Sequence, residues 1–167
     1  IHNMRFMYIH RYLTEEKYNK VLVTDVKDVK FNSDPFTMLP SDKLVATGEV
    51  IKYKDHDWNM QHLIYNLGIF GFDFKEYEVL NVGVFGGSAE LVKEISRDIF
   101  LLSAGKPKVA DQTSFNYLAR TLYKDKFIFT SINDLVAIHC HVIKEGHVKF
   151  NLDRLKMYPI VHQYDRL

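Results

Sequence analysis

The chain has 167 residues, enough for one domain with a proper core, and its 47% hydrophobic and 26% charged content is that of an ordinary globular protein. A net charge of +1 gives no electrostatic reason to expect nucleic acid or an anionic membrane as partner. Cys140 is the one cysteine, so no disulfide can form within these residues, and a reducing compartment is favoured.

No apolar run reaches membrane-spanning length and nothing at the start reads as a signal peptide. The chain opens at Ile1 directly in a helical pattern, which reads as a piece of something longer. "MRFMYIHRYLTEEKY" sets Phe6, Ile9, Tyr12 and Leu13 at helical spacing. "KVLVTD" is a short continuous apolar run, the mark of a strand covered on both faces, and "KLVATGEVI" is a second strand candidate. "DWNMQHLIYNLG" reads as a short helix capped by Asp57 and closed by Gly68. "YEVLNVGVFGG" is another buried strand, ending in glycines. The strongest helix is "SAELVKEISRDIFLLSAG", with Ser88 as N-cap, a stripe of Leu91, Val92, Ile95, Ile99 and Leu102, and Gly105 after its end. "DQTSFNYLARTLY" starts a further helix at Asp111, and the tail "LVAIHCHVI-KEG-HVKFNL" reads as a hairpin. Strands alternating with helices predict an α/β domain spanning 1–167 with a parallel or mixed sheet, whose ligands lie beyond the carboxyl ends of the strands.

Four places could carry chemistry. Asp25 and Asp28 stand on a turn after a buried strand, where two carboxylates can present oxygens to one hard divalent cation. Asn81, Gly83, Gly86 and Gly87 form a strand end whose glycines would let a ligand approach backbone amides. Asp111 and Gln112 start a helix, and His162 stands in "PIVHQYDR" near the end. Taken singly, each has an ordinary structural alternative: a solvated turn, a tight strand-to-helix connection, a helix cap, a packed histidine.

In this order, "YNKVLVTDVKDVKFNSDPF", "LNVGVFGG", "DQTSFN" and "VHQYDR" resemble the nucleotide-sugar glycosyltransferases of the GT-A fold, over essentially the whole chain. The resemblance implies a mixed sheet flanked by helices and a hexosyl transfer from a nucleotide sugar, UDP-linked, to an acceptor hydroxyl of a carbohydrate or glycoconjugate. It implies Mn²⁺ or Mg²⁺ held by Asp25, Asp28 and His162, with the imidazole favouring Mn²⁺. Here the acidic motif is Asp-Val-Lys-Asp, one residue longer than the family's Asp-x-Asp, so Asp25 is a metal ligand through an adjusted turn or a ribose ligand instead. Asn81 and Gly83 match the donor-sugar contacts, Asp111 and Gln112 match the acid at a helix start that reaches the sugar, and Arg5 would face the donor. Asp111 is the nearest candidate base should the transfer invert the anomeric centre. The family also carries an N-terminal strand–helix unit for the nucleotide base, and only residues 1–20 precede the strand of the acidic motif here, so the domain reads as truncated at its N-terminus.

Other readings are weaker. His139 and His141 with His147 could bind zinc, although packed strand histidines are the simpler expectation. Ser88 and Ser114 lack a nucleophile elbow, and "GVFGGSAE" lacks the lysine of a phosphate loop. Phe70, Phe72, Phe74 and Trp58 are core residues first and an acceptor platform second. A non-catalytic sugar- or nucleotide-binding domain on the same scaffold and a metal-dependent nucleotide-sugar hydrolase are the competing functions. The expected location is cytoplasmic, or the secretory lumen if an anchor lies upstream.

Overall fold

A computed structural model describes residues 2–106 and 109–167. The chain forms a mixed α/β structure with two sheets. Helix α1 (Met4–Glu15) leads into strand β1 (Lys20–Thr24), and a short loop carries the chain to β2 (Val29–Phe31) in the other sheet. After β3 (Leu44–Lys52) come α2 (Asp57–Leu67), β4 (Glu78–Ser88), α3 (Ala89–Ser103) and α4 (Asp111–Arg120). Strands β5 (Phe127–Thr130) and β6 (Ala137–His139), the one-turn helix α5 (His141–Lys144) and β7 (Ile160–His162) complete the fold.

The larger sheet has the order β1-β4-β3-β5, with β4 antiparallel to both neighbours and β5 parallel to β3. The smaller sheet has the order β2-β7-β6, with β7 antiparallel to β2 and parallel to β6. Apolar side chains of α1, α3 and α4 cover the larger sheet. Phe6, Phe85, Phe115 and Phe127 form a continuous aromatic line through this core, with 4.8 Å between the Phe85 and Phe115 centroids. Val92, Ile95 and Ile99 of α3 are fully buried in the same core, as their spacing requires. Ala137 and Ile160 meet Val84 and join the two sheets.

Several expectations change. β1 is an edge strand whose apolar run is only partly buried, with Val21 and Val23 on the main core and Leu22 on the opposite face against the second sheet. The tail is no hairpin: after His139 the chain turns into α5, and β6 pairs in parallel with β7 instead. Gly86 and Gly87 serve close strand pairing, since a Cβ on Gly86 would lie 2.6 Å from the Val21 carbonyl oxygen and one on Gly87 would strike Lys43. Helix α2 is capped by the imidazole of His56, which accepts from the Asn59 amide, while Gly68 (φ +62°) closes it. Tyr12 points outward and its hydroxyl meets that of Tyr18 at 2.7 Å. Among the described residues no helix is long and apolar enough to cross a membrane.

Candidate metal centre

The loop from β1 to β2 steps between the sheets, and both of its ends are pinned. The Asp25 amide donates to the Gly83 carbonyl at 2.8 Å, and the Asp28 carbonyl accepts from the Gln163 amide at 2.6 Å. Four residues therefore span from one sheet to the other, which is why the acids stand three positions apart and still converge. Their partner is His162, the last residue of β7, whose Nε2 lies 3.4 Å from Asp25 Oδ2 and 3.7 Å from Asp28 Oδ1. The three ligand atoms all fall within 4.8 Å of one another.

The orientation of His162 follows from the residue behind it. His139 Nε2 faces the Thr47 carbonyl oxygen at 3.3 Å, and a carbonyl only accepts, so this nitrogen carries a proton. Burial, with lesser contributions from His162 and His141, holds the His139 pKa well below 6.5, so its Nδ1 keeps a lone pair. That lone pair takes the Nδ1 proton of His162 across 3.0 Å. His162 Nε2 is buried, without a hydrogen-bond partner, and aimed at two carboxylates. A histidine oriented by a hydrogen bond at its other nitrogen is the usual preparation of a metal ligand. The donor set of two carboxylates and one imidazole therefore fits a divalent metal ion.

Arg5 of α1 spans Asp25 and Asp111, reaching Asp111 Oδ2 at 3.2 Å. Burial alone would raise the Asp25 pKa, but His162 and Arg5 outweigh it and hold the carboxyl below its ordinary value. Asp111, the first residue of α4, is buried and gives its other oxygen to the Gln112 amide at 2.9 Å. Gly83 forms the floor. A Cβ there would lie 2.6 Å from both Asp25 Oδ2 and His162 Cε1, so only glycine fits beneath the two ligands.

Arg5, Asp25, Asp28, Gly83, Asp111 and His162 are thus brought into one cluster, although Asn81 and Gly83 lie early in β4 rather than at its carboxyl end. Because β4 runs antiparallel to β1, its early residues meet the end of β1. Asn81 and Gln112 lie one step away, on a cleft of about 420 Å³ that is also lined by Trp58, Asn59, His141 and Glu49. Asn81 connects the two places: its side-chain oxygen accepts from the Gly83 amide at 2.7 Å and its nitrogen donates to Glu49 at 2.6 Å.

Reasoning from the sequence missed Glu49, His139 and Gln163 as parts of this region. A carboxylate inside the apolar run "KLVATGEVI" was the available signal for Glu49. His139 was noticed only as half of a zinc pair, yet it braces His162, while His141 sits apart against Glu49 and Gln163. Cys140 is buried, which pushes its thiol up to about 11 and leaves it inert at neutral pH. A second group, His56, Glu145 and His147, also gathers within 4.8 Å. There Glu145 and His147 are both exposed, and the Nδ1 of His56 is already engaged by the Asn59 amide, so this group is less enclosed than the first. Phe70 and Phe72 are exposed, Phe74 is buried, and Trp58 stacks on His62 with centroids 3.9 Å apart.

No protein-family model matches the chain, and neither does any curated protein.

Proposed function

We propose that this chain is a GT-A-like, metal-dependent glycosyltransferase domain that moves a hexose from a UDP-linked donor to an acceptor hydroxyl. The observation that carries the reading is the convergence of Asp25, Asp28 and His162, with a buried imidazole nitrogen that has no hydrogen-bond partner. These three residues would hold Mn²⁺, preferred over Mg²⁺ because one ligand is nitrogen. Bound there, the ion would stabilise the charge that grows on a departing nucleoside diphosphate.

The other residues act by holding and orienting. Arg5 fixes Asp25, and Asp111 fixes Arg5, so α1 and α4 are tied to the acidic loop by one guanidinium. Asn81 and Gln112 face the adjoining cleft, where a donor sugar beside the diphosphate would lie. Holding donor and acceptor in register can lower a bimolecular barrier by roughly 7–11 kcal/mol in favourable cases.

The test is calorimetric titration with UDP, with and without Mn²⁺, followed by a screen of UDP-sugars with and without acceptors. Metal-dependent UDP binding that Asp28→Ala abolishes, and sugar transfer that needs an acceptor, are the expected results. Release of free sugar with no acceptor would identify a hydrolase. Failure of the folded protein to bind UDP in the presence of Mn²⁺ would end the transferase reading.

A further inference from the structure

Strand β3 is irregular at one place. Its pairing with β4 passes from Ala46 opposite Phe85 to Gly48 opposite Leu80 and then to Lys52 opposite Glu78, so four residues of β3 span two of β4. Within this bulge Val50 takes φ 60°, a left-handed conformation that costs a β-branched residue heavily. The strain is held by the Glu78 carboxylate, which accepts from the Val50 amide at 2.6 Å. Bulges of this kind re-aim a side chain, and the one they re-aim here is Glu49.

Glu49 is only 2% exposed, yet it lines the cleft beside the metal ligands. One of its oxygens accepts from Asn81 at 2.6 Å and the other lies 3.4 Å from His141 Nε2. The remaining ring nitrogen of His141 meets Gln163 Oε1, so both nitrogens face acceptors. Although burial pushes the His141 pKa down, Glu49 and Gln163 hold it above 6.5, which favours an imidazolium paired with a carboxylate. Such a pair adds no net charge to the cleft wall. A carboxylate has about four acceptor positions, and two are used, so Glu49 retains capacity for hydroxyl donors. Nearby, Trp58 is half exposed and lines the cleft with one ring face stacked on His62 and the other free of ring contacts among the described residues, while Asn59 and Gln112 add amides. The cleft's volume of about 420 Å³ suits a small molecule.

We propose that Glu49 is a specificity-determining residue that accepts hydroxyl hydrogens of a pyranose whose apolar C–H face lies on Trp58. This deepens the transferase reading, on which it rests for the reason a sugar should be there. Trp58 is the chain's one tryptophan, so its emission reports occupancy of the cleft directly. The experiment titrates the protein with glucose, galactose, mannose and N-acetylglucosamine, following Trp58 fluorescence, on wild type, Glu49→Gln and Glu49→Ala. Calorimetry of UDP with Mn²⁺ on the same three proteins runs beside it and shows whether each variant is folded. At least one sugar should shift the emission, and both variants should bind that sugar at least tenfold more weakly. The inference is overturned if no sugar moves Trp58 in the wild type, or if the variants bind within twofold of it. Sugar failure with intact UDP–Mn²⁺ binding removes Glu49's role and spares the transferase reading. Glu49-dependent sugar binding without metal-dependent UDP binding does the reverse.

Discussion

Replacing Gly83 by alanine should disable the metal centre without altering any proposed ligand. The new Cβ would sit 2.6 Å from Asp25 Oδ2 and from His162 Cε1, and 2.9 Å from Asn81 Oδ1. Ordinary van der Waals contact begins near 3.4 Å, so Asp25 and His162 must each retreat by 3.4 − 2.6 = 0.8 Å, or the strand must move. His162 has no free room, being 1% exposed and braced by His139, while Asp25 is partly exposed but held in place by Arg5. Metal–ligand distances tolerate only about 0.2 Å, so a displacement four times larger should cost metal affinity at least tenfold. Overpacking should also lower stability by about 1–3 kcal/mol, leaving the fold intact. Electron paramagnetic resonance of free Mn²⁺ would give the affinities, and urea denaturation would confirm folding. A folded Gly83→Ala protein with Mn²⁺ affinity within threefold of wild type would refute the argument that this glycine underlies the ligands.

Asp28→Ala and His162→Ala should each weaken Mn²⁺ at least tenfold in the same assay, and His139→Ala should weaken it through loss of the brace on His162; unchanged affinity in all three would place any metal elsewhere. Asn116 is fully buried and serves both the N–H and the C=O of Leu80, each at 2.8 Å, so Asn116→Leu should cost about 2–5 kcal/mol in urea by stranding two backbone groups. A loss below about 1 kcal/mol would show that water can replace the amide. His141 is raised above 6.5 in the fold, so its ion pair contributes fully below 6.5 and the contribution is lost as pH rises through the folded-state value. The difference in thermal midpoint between wild type and His141→Gln should therefore shrink from about pH 6 to about pH 9, and a difference that stays constant would contradict a stabilising imidazolium.

How much of this could be read in advance differs by element. The stripe of α3 and the glycine closing α2 are local signals, and both elements appear where the pattern put them. The edge position of β1 is not local. Its apolar residues are those of an interior strand, and only the pairing with β4 on one side alone makes it an edge. The tail failed for the same reason: β6 finds its partner in β7, beyond α5 and an irregular segment, and no turn residue announces a parallel pairing. At the site, the residue types of Asp25, Asp28 and His162 were visible, but their convergence depends on a loop stepping between two sheets. Glu49 was readable in principle, since a carboxylate in an apolar strand must be satisfied somewhere. What it faces depends on a bulge that leaves no mark in hydrophobic periodicity.

The pairing of β7 with β2 also bears on how the site is assembled. His162 meets the acids through β7, and that pairing joins residue 29 to residue 162. Long closures of this sort form late, because the entropy of bringing distant segments together is spent before their contacts can form. During refolding, the helices and larger sheet would assemble while the acids still lacked their imidazole. Acquisition of Mn²⁺ would then mark the final stage of folding, and a chain halted before that strand docks would look largely native while remaining blind to the ion.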